Sequence, residues 1–148
     1  MTKRIACLIA GLSLVGTTVL LASEKKVQLK DLPPAVRAAV QAHTEGAAIK
    51  AVIEESNNGK TSYEVETTRA GKTRDLLFDA AGTLIEVEQE IGLDEAPAGV
   101  KTALLTHGKV IKLESLTKGT VVTYEAEVEK NGKRTEVEVG ADGKTIKH

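Results

Sequence analysis

The sequence predicts an α+β protein built of two tandem repeats, each a short helix followed by a four-stranded antiparallel meander. Three observations carry this. A helical spacing of apolar residues occurs twice, a period-two pattern follows it both times, and glycines punctuate that pattern at matching places. With Pro34 set beside Pro97, Val36, Ala39, Val40 and His43 have counterparts 64 residues on in Val100, Ala103, Leu104 and His107. Both sets follow the i, i+3, i+4, i+7 spacing that lines one helical face. Asp31 and Asp94 stand where N-caps are expected, prolines follow in the first turn, and Gly46 and Gly108 close each helix.

After each helix the period becomes two and the offset settles at 61: Tyr63-Glu-Val-Glu matches Tyr124-Glu-Ala-Glu, Gly71-Lys72 matches Gly132-Lys133, and Gly82 matches Gly143. Glycine between alternating runs reads as hairpin turns. The expected strands are 48–55, 60–69, 72–79 and 83–90, then 109–115, 119–130, 133–140 and 143–147. Successive strand side chains point to opposite faces. One face therefore collects Tyr63, Val65, Leu76, Phe78, Ile85 and Val87, and in the second copy Tyr124, Ala126, Val128, Val137 and Val139. These are the expected cores under the helices. The other face collects Glu64, Glu66, Asp75, Glu86 and Glu88, then Glu125, Glu127, Glu129, Glu136 and Glu138, with Lys50, Lys112 and Arg134 among them. That face is expected to be open to water. Pattern alone leaves open whether the two copies share one sheet, since free strand edges can pair with each other or with a second chain.

The chain starts differently. Lys3 and Arg4 precede an uncharged stretch from Ile5 to Ala22, and charge resumes at Glu24, the layout of an export leader over 1–22. An uncleaved anchor is the alternative, because about 18 residues is close to the minimum span. Cys7 lies at the start of this stretch, too early for a lipid-modified cysteine. Without the leader the chain has no thiol, so a cysteine nucleophile and a disulfide framework are both excluded. What then remains is 18 basic against 21 acidic residues, with no polybasic field for nucleic acid or anionic lipid. The expected organisation is a leader at 1–22, one repeat at 29–90 and the other at 91–148. The expected location is periplasmic or secreted.

Helix, tyrosine strand "YEVE", "GK" turn, hydrophobic strand and "DAAGTLIEVE", in that order and twice over behind a leader, resemble the PepSY-like modules of exported bacterial proteins. The group described as similar to β-lactamase inhibitor proteins is the nearest in kind. The resemblance covers Leu29 to Glu90 well and Glu95 to Lys147 less well. It implies an exported, non-enzymatic binding module, an inhibitor or modulator of a peptidase or another envelope hydrolase. The Glu-dominated face departs from the Tyr, Trp and Arg anchors on which tight interfaces lean.

Other motifs have plain readings. Gly140-Ala-Asp-Gly-Lys-Thr145 lacks the spacing of a phosphate loop and reads as a hairpin turn, as does Gly71-Lys72-Thr73. Asp79-Ala-Ala-Gly82 and Asn57-Asn58-Gly59 lack the alternating oxygen ligands of a calcium loop and consist of turn formers. His43 and His107 sit at helix C-termini, where a cationic residue suits the backbone dipole. Histidine is too sparse to supply a base to Ser56, Ser62 or Ser115, so no catalytic set, cofactor site or metal cluster is expected. The residues expected to meet a protein partner are Glu64, Glu66, Glu125 and Glu127 on the sheet, with Asn57, Asn58 and Asn131 in the turns. A second reading gives the acidic face to a cation or small ligand, in a sensing role.

Overall fold

A computed structural model describes residues 23–147; the expected leader, Cys7 and His148 lie outside them. The elements are β1 (Ser23–Lys26), α1 (Pro34–His43), β2 (Ala48–Asn57), β3 (Lys60–Arg69), β4 (Lys72–Asp79), β5 (Leu84–Glu90), α2 (Ala98–His107), β6 (Lys109–Lys118), β7 (Val121–Lys130) and β8 (Lys133–Gly140). All eight strands form one antiparallel sheet in chain order. The two repeats therefore share a sheet, with β5 of the first paired to β6 of the second.

Both helices fall where the apolar spacing puts them. Neither is capped by an aspartate: Pro33 and Pro97 are the N-caps, and Asp31 belongs to a single 3₁₀ turn before α1. Proline fixes φ near the value a helix start requires and has no N–H to leave unsatisfied, so the acidic cap is dispensable. Strand content differs from expectation at both ends. β1 pairs with β2 ahead of α1, giving the first repeat a strand that alternation over four residues did not reveal. Residues 143–147 do not form a strand; they meet β8 through one bridge, Val139 to Thr145, and the Ile146 N–H to Glu138 O bond of 2.8 Å.

The two helices lie on the same face of the sheet, each over its own core. Leu32, Val36, Val40, Val52, Tyr63, Val65, Leu76 and Phe78 pack beneath α1. Val100, Leu104, Leu113, Ala126, Val128 and Val139 pack beneath α2. The assignment of Ile85 to the first core is corrected. A bulge between Leu77 and Phe78 sets Leu84 opposite Phe78, so Leu84 packs on the core and Ile85 is left exposed. An extra residue in one strand reverses the faces beyond it, which alternation cannot foresee.

The turn after β4 ties the sheet to the start of its helix. Asp79 Oδ1 accepts from the N–H groups of Ala81 (2.9 Å) and Thr83 (2.8 Å), the aspartate turn that a calcium reading would misassign. Gly82, at φ +86°, sits so close to α1 that an added Cβ would lie 2.8 Å from the Ala35 carbonyl oxygen. A Cβ added at Gly143 would likewise lie 2.8 Å from the Gly99 carbonyl oxygen of α2, so the 61-residue offset records a repeated close approach. Gly82→Ala is expected to lower stability by about 2–3 kcal/mol, the left-handed backbone strain of a side chain plus overpacking. Gly59→Ala, with a similar φ of +75° and nothing within 4 Å, should show the strain alone. Thermal unfolding of the two variants side by side measures the difference.

The carboxylate face

The face away from the helices is ordered by cross-strand register. One row runs Ala51, Glu66, Asp75, Glu88, Leu116 and Thr123 across β2 to β7. The row beside it runs Lys26, Ile53, Glu64, Leu77 and Glu86 across β1 to β5. A third runs Glu90, Glu114, Glu125 and Glu138 across β5 to β8. Neighbouring strands lie about 4.8 Å apart, so facing carboxyls in a row are close enough to feel each other's charge.

The expectation that this face is wholly open to water is corrected. Glu64 is 3% exposed, Glu86 5% and Glu114 4%. Glu64 stands between Ile53 and Leu77, whose aliphatic side chains share its face and wall it in. Alternation assigns a side to each residue but says nothing about how crowded that side is. Burial is the first cause of the shift at Glu64, whose pKa is raised to about 8, with the charges of Glu55 and Asp75 adding to it. Glu88 is raised to about 7 by burial and then by Glu114 and Glu86. Burial raises Asp75 to about 6 against an opposing hydrogen bond from the Thr67 N–H at 3.3 Å. Glu55 is also raised, by burial and Glu24, and hydrogen-bonds to Glu64 and Ser62. With Glu64 protonated near neutral pH, it is the donor and Glu55 the acceptor of that carboxyl pair.

Compensating cations are few and locally committed. Lys112 pairs with Glu114. Lys118 Nζ lies 3.0 Å from Glu86 Oε2, an ion pair, although that oxygen accepts no well-directed hydrogen bond. Arg134 reaches Glu127 at 3.1 Å and Glu129 at 3.3 Å. Among the described residues, no three His, Cys, Asp or Glu side chains are placed to hold one metal ion, and no helix is long and apolar enough to cross a membrane.

The residues expected to meet a partner are distributed, not gathered. Glu64 and Glu66 are on β3, and Glu125 and Glu127 on β7, four strands away across the same face. Asn57 and Asn58 form the β2–β3 turn and Asn131 the β7–β8 turn, at opposite ends of the sheet. Asn58 and Asn131 have φ of 51° and 54°, which asparagine tolerates in tight hairpins. Between the two glutamate pairs lie Asp75, Glu88, Glu90 and Glu114. Pattern within one repeat does not single out Glu90 and Glu114, because only the β5–β6 pairing brings them to this face together. His43 tilts against Phe78 with ring centroids 5.8 Å apart, while His107 lies 3.5 Å from Thr145 Oγ1, so the two imidazoles have separate surroundings.

Comparison with known proteins agrees with this architecture. Residues 35–88 match the family described as "Peptidase propeptide and YPEB domain", PepSY. No curated protein matches the sequence significantly. Among solved structures, a predicted periplasmic protein of Bacteroides eggerthii superposes with a TM-score of 0.64 at 17% identity, covering 78% of this chain and 86% of that one. A DUF2874 family protein of Bacteroides ovatus superposes with a TM-score of 0.61 at 14% identity, over 78% and 85%. A BLIP-like protein of Bacteroides fragilis gives 0.59 at 20% identity, over 78% and 84%. At such identities the likeness is one of fold. Residues 35–88 match the PepSY family, and the helix-and-meander architecture that contains them is similar in fold to BLIP-like and DUF2874 proteins of Bacteroides.

Proposed function

We propose that this chain is an exported, non-enzymatic protein-binding module whose carboxylate face receives a protein partner in the cell envelope, and that it restrains or modulates a peptidase or another hydrolase there. The observation that carries this is the face itself: one uninterrupted sheet surface on which buried carboxylates (Glu64, Glu86, Glu114) and half-buried ones (Glu66, Glu88, Glu125, Glu127) stand among Ile53, Leu77 and Leu116. An acidic surface with an aliphatic strip suits a partner surface that is basic around an apolar patch. The PepSY description, with its reference to peptidase propeptides, and the BLIP-like name of one structural neighbour support a binding role. The predicted periplasmic relative supports an envelope location. Glu66, Glu125 and Glu127 would meet the partner directly, with the asparagine turns at either end of the contact. Glu64, being buried, would act by shaping the surface and not by pairing.

Affinity capture from envelope extract tests this. Glu66→Lys/Glu125→Lys is expected to reduce capture of the partner at least tenfold, because truncating or reversing charge in a partly desolvated contact costs more than about 1.4 kcal/mol. Undiminished capture, with folding intact by circular dichroism, would remove the carboxylate face from the interaction.

A further inference from the structure

The two outer edges of the sheet are unlike. β1 ends one side with four residues, Ser23–Lys26, all but the serine charged, and a short charged edge resists further pairing. β8 ends the other side with eight residues, Lys133–Gly140. At the seam between the repeats, β5 covers the outer edge of β4 from Phe78 to Arg74 and pairs with β6 beyond it. Among the described residues, the matching edge of β8 is covered only at its far end. There Thr145 bridges to Val139, and the Ile146 N–H donates to the Glu138 carbonyl oxygen at 2.8 Å.

Those bonds show which groups β8 leaves open. Backbone N–H and C=O groups alternate sides along an antiparallel strand, and Glu138 and Gly140 direct theirs outward, to Ile146 and Lys144. Arg134 and Glu136 share that parity, so their N–H and C=O groups point away from β7, where no strand lies opposite them among the described residues. Lys133, Arg134, Thr135 and Glu136 are all exposed. Such a row of outward groups is a template for another strand.

We propose that the β8 edge pairs with the β8 edge of a second copy of this chain, antiparallel and centred on Thr135, so that a two-fold axis joins two eight-stranded sheets into one. This register alone sets the two open residues against each other. Arg134 stands opposite Glu136 of the second copy, and each such pair exchanges both backbone hydrogen bonds. A register centred on Arg134 opposes Arg134 to itself and Glu136 to Gly132 in the turn. One centred on Glu136 opposes Glu136 to itself and Arg134 to Glu138, whose carbonyl already accepts from Ile146. Side-chain charge agrees with the backbone. Glu136 faces the like-charged Glu127 on β7, and Arg134 of the second copy would bring the opposite charge to its other side. Arg134 gives Nε to Glu129 and one Nη to Glu127, and a guanidinium has five N–H donors, so it can hold Glu136 of the second copy as well. Because opposed residues share a side, both carboxylate faces would lie on one side of the joined sheet and both helix layers on the other.

The test is disulfide trapping in the full chain carrying Cys7→Ser. Thr135→Cys puts a thiol at the two-fold axis, in a pair that exchanges no hydrogen bonds, where Cα atoms lie about 4.5 Å apart and a disulfide can form. Lys133→Cys puts its two thiols about 14 Å apart along the strands. Mild oxidation is expected to link Thr135→Cys chains into a dimer and to leave Lys133→Cys chains single. Sedimentation equilibrium of the Cys7→Ser chain should show monomer and dimer in a concentration-dependent balance. Glu136→Pro removes an N–H that β8 does not use toward β7, and is expected to weaken dimerisation at least about tenfold, with circular dichroism unchanged, since two hydrogen bonds per dimer are lost. The proposal is overturned if the chain is still monomeric at millimolar concentration, or if Glu136→Pro leaves the dimer intact. Equal trapping of both cysteine variants overturns it too, by placing the contact on another surface. So does growth into open-ended oligomers, the signature of β8 pairing with β1.

Discussion

Phe78→Ala is expected to destabilise the protein by about 3–5 kcal/mol, the usual cost of emptying a fully buried aromatic site. Phe78 is 0% exposed and pairs across the strands with Tyr63 on one side and Leu84 on the other, with the His43 ring against it. Tyr63 and Leu84 beside it are themselves held in the same core by their strands, so they refill the space only in part. A domain of this size loses roughly 3–5 °C of melting temperature per kcal/mol, so a drop of more than about 10 °C is expected. The loss should also be uneven. Because the cores are distinct, amide protection is expected to fall in α1 and β3–β5 while α2 and β7 retain theirs, as for separately cooperative units. Hydrogen exchange with residue resolution reads this directly. Equal loss in both halves would mean that the seam couples them into one unit.

The second large effect is the direction of the pH dependence. Glu64, Glu88 and Asp75 have folded-state pKa values raised to about 8, 7 and 6, so between the unfolded values and these the native state holds protons that the unfolded chain has released. Native stability must then fall as pH rises, fully favoured below about pH 4.5 and progressively weakened through 6, 7 and 8. This is the reverse of a protein whose carboxylates are ion-paired. A tenfold difference in proton affinity between the folded and unfolded chain is worth about 1.4 kcal/mol, and after discounting for partial exposure and screening a total of a few kcal/mol is expected between pH 5 and 8.5. In the acid range the exposed carboxylates Asp79, Glu95 and Asp142 act in the opposite sense. Their pKa values are held low by hydrogen bonds from Thr83, Lys72 and Lys144 respectively, and that support fades as the groups protonate. Maximum stability is therefore expected near about pH 5. Glu64→Gln, which imitates the protonated form, should gain about 1–2 kcal/mol at pH 8.5 and almost nothing at pH 5. Urea titrations at the two pH values check it; equal effects at both would show that Glu64 is ionised in the native state throughout.

Local pattern carried much of this architecture. Val36, Val40, Val100 and Leu104 lie on one helical face in any environment, because 3.6 residues per turn is a property of the backbone. Tyr63, Val65, Leu76 and Phe78 likewise follow from the two-residue period, and each hairpin glycine from the φ its turn requires. Three features were not legible in that way. A bulge after Leu77 moved Ile85 outward, since one unpaired residue reverses every face beyond it. The β1 strand is only Ser23–Lys26, too short and too charged to show a period, and exists because β2 offers it an edge. The seam joins residues from different repeats, so no pattern within either repeat encodes it.

The amino-acid sequence by itself therefore determined the repeat, the helices, the order of the meanders and the sidedness of the glutamates, all of which depend on neighbours along the chain. Tertiary structure alone decided that the halves share one sheet and that Glu90 faces Glu114. It also decided that Glu64 is enclosed between Ile53 and Leu77. Burial and like-charge proximity are sums over strands distant in sequence, and on this apparently solvated surface those sums raise Glu64 to about 8, Glu88 to about 7 and Asp75 to about 6.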